Sequence, residues 1–131
     1  MKKYYYASFI YLILGMLAGI FYRELTRISN FQGETMLKGT HTHILVLGFI
    51  FFLVVMLLDK AYEFSTVRSA KAWFISYHIT FIYFIATMIT RGVAQVKGFE
   101  VAGLSHMAGL AHTLLGASLV WFMVLIGKKL R

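Results

Sequence analysis

The residues best suited to chemistry in this chain are its five histidines, which all lie in segments without Asp, Glu, Lys or Arg. His41 and His43 form a His-x-His pair. Residues of an α-helix are about 100° apart, so positions i and i+2 face opposite flanks of the helix. The pair is therefore suited to serve two pockets, one on each flank. We expect Thr40 to be the N-cap, which places both rings in the first turn, where the positive helix end favours neutral, metal-ligating imidazole.

Two further histidines, His106 and His112, lie in the last apolar segment, six residues apart and again on different flanks. Small residues near His112 leave room for a flat macrocycle or for a closely packed helix. Arg91 ends the preceding apolar segment, where its guanidinium can bind a haem propionate or a lipid phosphate in a bidentate manner. His78 is expected to be a hydrogen-bonded interior residue. The small neighbours of His112 are Gly109, Ala111, Gly116 and Ala117.

The composition indicates an integral membrane protein. The 131 residues are 60% hydrophobic and 14% charged, whereas soluble domains average about 25% charged residues. A domain of this size cannot bury such an excess, which excludes a soluble enzyme and a disordered chain. The chain has no cysteine, which excludes disulfide scaffolds, Fe–S clusters and cysteine-based zinc sites. Histidine is therefore left as the main metal ligand.

The charged residues leave four apolar segments, and each is long enough to cross a bilayer, which takes roughly 20 residues of helix. The sequence predicts an all-α fold consisting of one transmembrane four-helix bundle over residues 1–131. Short loops make consecutive helices antiparallel neighbours. The predicted helices cover about residues 4–22, 39–58, 72–90 and 104–126.

The Lys and Arg residues predict the orientation. Eight lie on the side of the two termini and five on the opposite side, which favours a multi-pass protein of the bacterial cytoplasmic membrane with both termini in the cytoplasm. Four histidines then share the outer half of the membrane, and His78 lies toward the cytoplasm. Because the basic residues are divided between two membrane faces, the expected partner is the lipid bilayer and not a nucleic acid.

The stretch from His41 to Phe51 resembles the haem-ligating helices of haem–copper oxidase subunit I, and the chain also resembles small four-helix bacterial membrane proteins related to the oxidases and to NnrS-type haem proteins. In the oxidases, a His-x-His pair on one helix ligates two haems, and twelve helices form three arcs of four. The resemblance implies that the chain is one such arc, that His41 and His43 ligate haem, and that Arg91 binds propionate. The copper-site histidine pair and the tyrosine linked to it have no evident counterpart, so oxygen reduction is not predicted.

These observations together predict a b-type haem protein for electron transfer or diatomic gas binding. We expect a homotrimer that closes a twelve-helix ring. Each pore would take His41 from one subunit and His43 from its neighbour, or one of these with His112. The redox partner is not predicted.

Two alternatives come from other classes of protein. A copper- or zinc-binding protein would use the four outer histidines, His41, His43, His106 and His112, as metal ligands, although the scattered methionines weaken the case for copper. A structural or assembly subunit would use the same histidines only for hydrogen bonds.

Overall fold

The computed structural model describes residues 1–130, which form four long helices and no β-strand. A 3₁₀ turn, Phe64–Thr66, precedes the third helix. The all-α fold is thus confirmed. All four helices are also long and apolar enough to cross a membrane, which is consistent with the predicted multi-pass protein. The helices are α1 (Lys2–Ile28), α2 (Leu37–Tyr62), α3 (Ala70–Lys97) and α4 (Leu104–Gly127).

The bundle has two ends that carry different groups. The terminal end holds Met1, Leu130 and the loop of residues 63–69. The histidine end holds the loops of residues 29–36 and 98–103, close to four of the five histidines.

The helices extend beyond the apolar segments that predict them. The first runs to Ile28 and the third to Lys97, because Lys, Arg, Glu and Gln are good helix formers and continue a helix past the hydrocarbon region. Gly98 then ends α3 with φ of 76°, and Gly103 precedes α4 with φ of 75°. Glycine adopts this left-handed backbone without the strain that a Cβ would cause.

The expectation that Thr40 caps α2 is wrong. The helix already begins at Leu37, and the Thr40 hydroxyl donates a hydrogen bond to the carbonyl of Met36 at 2.9 Å. His41 and His43 therefore lie in the second turn of the helix and not in the first.

The helix begins early because α3 holds the preceding loop. The hydroxyl of Thr35 donates to the carbonyl of Gly92 at 2.8 Å, and the side-chain oxygen of Gln95 accepts the backbone N–H of Met36 at 2.7 Å. Leu37 is buried against Gly92, whose missing side chain leaves room for it. The end of α3 thus fixes the start of the helix that carries the histidine pair.

The four helices form a flattened bundle in which each helix packs along the next one in sequence. Aromatic rings also join α1 to α3, through Tyr4 and Phe74, and α2 to α4, through Phe51 and Phe122. No hydrogen bond or aromatic pair within residues 1–130 joins α1 to α4. These two helices therefore form opposite edges, and α2 presents one flank beside α1 and another beside α3.

Aromatic side chains fill the core toward the terminal end. Trp73 is fully buried, and its indole N–H donates to the carbonyl of Ser118 at 2.9 Å. Aromatic side chains bury large apolar areas and pack against one another edge-on or in offset stacks. This core therefore ties α3 to α4 below the histidines. The other fully buried aromatic residues are Tyr4, Phe52, Phe64, Tyr77 and Phe81.

The middle of α2 is a π-helical segment, Leu45–Ile50, whose carbonyls are bound by neighbouring helices. The Tyr77 hydroxyl of α3 donates to the carbonyl of Leu47 at 2.7 Å, and the Ser8 hydroxyl of α1 donates to the carbonyl of Phe49 at 2.8 Å. Such segments are rare and are frequent at functional sites. Here the wider turn sets the rotation of the His-x-His pair relative to the rest of α2.

We expect Tyr77→Phe to lower the free energy of unfolding by about 1 kcal/mol, because it removes one neutral hydrogen bond. Thermal unfolding in detergent measures the loss. The matched control is Tyr83→Phe, which removes a longer, exposed bond of 3.1 Å to the carbonyl of Met107 and should cost less. Equal losses for the two variants would show that the bond from Tyr77 to the π-helical segment stabilises the protein no more than an exposed hydrogen bond does.

Candidate functional site

His41 lies on the flank of α2 that faces α1. A Cβ atom built on Gly19 would be 3.7 Å from Cγ of His41, so the imidazole packs against the bare backbone of α1. The Nδ1 atom of His41 is buried and has no hydrogen-bond partner. An open cavity of about 250 Å³ adjoins the ring, and Arg23 lies at its edge. The lining residues are Gly15, Met16, Gly19, Ile20, Arg23, His41 and Leu45.

His43 lies on the other flank of α2, beside α3. Its Nδ1 is 2.7 Å from the carbonyl oxygen of Gly39, one turn earlier. Its ring centroid is 5.6 Å from that of Phe84. The i, i+2 spacing thus separates His41 and His43 onto two flanks.

His112 of α4 contacts the same phenylalanine. Its ring centroid is 4.6 Å from that of Phe84, and the two planes are nearly perpendicular. Its Nδ1 is 2.8 Å from the carbonyl oxygen of Ala108, again one turn earlier. Folding therefore brings His43 and His112, which are far apart in the sequence, to one buried aromatic ring.

These two hydrogen bonds define the protonation of both rings. A carbonyl oxygen can only accept, so Nδ1 of His43 and of His112 must carry the hydrogen. In the neutral imidazole the other nitrogen, Nε2, is then an unprotonated electron-pair donor. Neither Nε2 has a hydrogen-bond partner within residues 1–130. An Nδ1–H bonded to a backbone carbonyl is the usual support of a metal-ligating histidine.

Arg91 lies above this pair, toward the histidine end. It follows Phe84 by seven residues, and Ser105 precedes His112 by seven residues. Seven residues are close to two full helical turns, so each pair shares a stripe of its helix with a separation of about 10 Å. Arg91 and Ser105 meet at a cavity of about 360 Å³ between α3, α4 and the loop joining them. The cavity is lined by Arg91, Ala94, Gln95, Phe99, Glu100, Val101, Leu104 and Ser105.

The other two histidines lie apart from this arrangement. His106 is exposed in the first turn of α4 and makes no side-chain hydrogen bond within the described residues. His78 lies toward the terminal end, bonded to Tyr11. No group of three His, Asp or Glu side chains in residues 1–130 could hold a metal ion. The described part of a single chain therefore offers no complete cluster of metal ligands.

Sequence reasoning singled out His41, His43, His112 and Arg91, and it missed Phe84. No sequence signal marks Phe84, since it is one of twelve phenylalanines in the chain. Its importance comes only from the packing of α3 between α2 and α4.

The fold and the site define a class: a four-helix protein whose helices are long and apolar enough to span a membrane, with histidine nitrogens on two separate flanks of α2. A family described as a protein of unknown function (DUF2871) matches residues 1–129, and the chain belongs to that family. No curated protein and no solved structure matches the chain.

Proposed function

We propose that the protein binds a b-type haem through histidine and serves in electron transfer or in the binding of a diatomic gas. The observation that carries the proposal is that His43 and His112 both contact the Phe84 ring, each with its Nδ1–H held by a backbone carbonyl. When bound, haem supplies a one-electron iron centre and, if only one histidine reaches the iron, an open position for O₂, NO or CO.

The surrounding residues fit such a group. Phe84 offers an aromatic surface in contact with both imidazoles. Arg91 makes no ion pair within residues 1–130, and with the Ser105 hydroxyl it can hold a carboxylate edge at the histidine end. Charged propionates are thereby kept at the rim of the membrane, where burial costs least.

The flank that carries His41 supports assembly from several copies. The cavity beside His41 is open, and the Nδ1 atom of His41 has no hydrogen-bond partner. Arg23 lines the same cavity, as Arg91 lines the cavity near Ser105. We propose that three copies close into a ring in which this flank faces the His43 and His112 flank of the next copy. Such head-to-tail contacts close a ring when the rotation between copies allows it. The ring would resemble the twelve helices of an oxidase subunit.

The orientation is part of the same proposal. Both termini lie in the cytoplasm of a bacterial cell, and the histidine end faces outward. Cysteines placed singly at Ser65 and Gly33 would test this in intact cells: an impermeant thiol reagent should label only the second.

Titration of haem into the haem-free, detergent-solubilised protein tests the proposed binding. We expect a Soret band that saturates at a defined ratio of haem to chain. A band that rises without saturation, as for haem partitioning into micelles, would contradict specific binding.

We expect His41→Ala to shift the protein from trimer toward monomer, because the flank loses the imidazole that packs against α1 and whose Nδ1 has no hydrogen-bond partner in a single copy. Size-exclusion chromatography with light scattering measures the mass. The matched control is Thr42→Ala, an exposed neighbour on the same turn, which should leave the mass unchanged. A monomeric wild-type protein that binds haem would refute the ring and leave the haem proposal standing.

The alternatives predict different results. A copper- or zinc-binding protein would retain metal and show no Soret band. A structural subunit would show no change in spectrum or metal content after replacement of all five histidines.

A further inference from the structure

His78 is a histidine that the proposed haem site does not use. Its Nδ1 is 2.6 Å from the Tyr11 hydroxyl oxygen, which joins α3 to α1. The imidazole lies flat on Phe52, with centroids 4.9 Å apart, and Phe74 meets it edge-on at 4.4 Å. An ionisable side chain at membrane depth is costly and usually marks a function.

The hydrogen bond has a preferred direction. The Tyr11 side chain is buried, and its hydroxyl has no acceptor other than His78 within residues 1–130. It therefore donates to Nδ1, and Nε2 of the neutral ring carries the hydrogen. A proton added at Nδ1 reverses the bond, since Nδ1–H then donates to the Tyr11 oxygen. The pair can thus take up one proton while keeping its contact.

Few charges face His78 from the helices packed against it. Tyr11 is the residue of α1 that contacts His78. The Lys3 ammonium of the same helix lies 5.2 Å from the centroid of the Phe74 ring. Phe52 is the residue of α2 that contacts His78. The carboxylate of Asp59, on the same helix, lies near Tyr4. On its own helix the titratable neighbour is Tyr77, with centroids 6.4 Å apart.

No carboxylate within the described residues touches the His78 ring. A proton on His78 is therefore not balanced by a fixed negative charge. A negative charge that arrives nearby would favour protonation of His78.

We propose that His78 takes up one proton when one electron enters the group held by the paired histidines. The inference rests on the proposed function. Tyr11 packs on Gly48 of α2, which follows His43 by five residues, or about 7.5 Å of helix. On α3, His78 precedes Phe84 by six residues, or about 9 Å of helix. Two unit charges at about that separation in an effective dielectric of about 20 change each other's equilibria roughly tenfold.

The step is balanced in charge and atoms. Dithionite would supply one electron to the haem when it is bound. A hydronium ion at the terminal end would supply one proton, so that one O–H bond breaks as one N–H bond forms at Nδ1 of His78. The electron and the proton together leave the charge of the protein interior unchanged. An interior of low dielectric constant therefore favours the uptake of both over the uptake of either one alone.

The test is a redox titration of the haem-loaded protein in lipid nanodiscs between about pH 5 and 8. In the wild type, the midpoint potential should fall as the pH rises, and a pH-indicator dye should report proton uptake on reduction with dithionite. In His78→Phe and His78→Gln both effects should be lost, and in Tyr11→Phe they should be weaker. Ile79→Phe, at an exposed position on the adjacent residue, is the control and should behave as the wild type.

Several results would overturn the inference. One is a pH-dependent potential that persists in either His78 variant with an unchanged Soret band. Another, independent of any variant, comes from ¹⁵N-histidine NMR of the wild type: a His78 ring that stays neutral in both redox states refutes the proposal. Absence of a Soret band in the wild type would instead refute the haem proposal, so the two failures are distinguishable.

Discussion

His43→Ala and His112→Ala should each purify as folded protein and should each lose most of the haem absorbance. Each change removes an imidazole Nε2 that has no hydrogen-bond partner within the described chain and is therefore free to bind iron. Loss of one axial ligand also converts any remaining haem from a two-imidazole to a one-imidazole form, which a visible spectrum distinguishes. The measurement is the ratio of Soret to protein absorbance after expression with haem supplied.

His106→Ala is the matched control for this pair. It removes an imidazole from the same end of α4, but His106 is exposed and does not contact Phe84. Its Soret ratio should equal that of the wild type. Full haem retention in both His43→Ala and His112→Ala would refute the assigned ligands, whatever the control shows.

Gly92→Ala should destabilise the protein by about 1–3 kcal/mol, the usual cost of an overpacked core. A Cβ at this position would lie 2.5 Å from Cγ of Leu37 and 2.7 Å from its backbone nitrogen. The start of α2 would have to move away from α3, and the bond from Thr35 to the Gly92 carbonyl would be strained. We expect both a lower melting temperature and weaker haem binding, because the same movement displaces His43.

Gly116→Ala provides the comparison within a helix. A Cβ there meets nothing within 4 Å, and alanine is favoured over glycine in a helix by about 0.5–1 kcal/mol. The melting temperature of the haem-free protein should therefore stay the same or rise. If Gly92→Ala melts no lower than Gly116→Ala, the contact between the start of α2 and α3 does not position the histidine pair.

The spans could be predicted from the sequence because charge is excluded from the hydrocarbon region. The gaps between charged clusters therefore mark the four helices, and helical geometry alone places His41 and His43 on opposite flanks. The helix ends were less predictable, since Arg27 and Lys97 are compatible with a helix and do not stop it.

The rest depends on contacts between distant segments. Thr40 has the residue type of an N-cap, yet bonds from the Thr35 and Met36 loop to α3 begin the helix earlier. The π-helical segment in α2 depends on hydroxyls from α1 and α3. Likewise, only tertiary packing shows that Phe84 joins His43 to His112 and that Tyr11 pairs with His78.

A reduced-minus-oxidised visible spectrum of the wild-type protein tests the central claim most directly. The protein should be purified in mild detergent from cells supplied with haem. The account predicts the bands of a b-type haem with two imidazole ligands, lost together in the double variant His43→Ala/His112→Ala. A folded wild-type protein that shows no haem bands, before or after reduction, would contradict it.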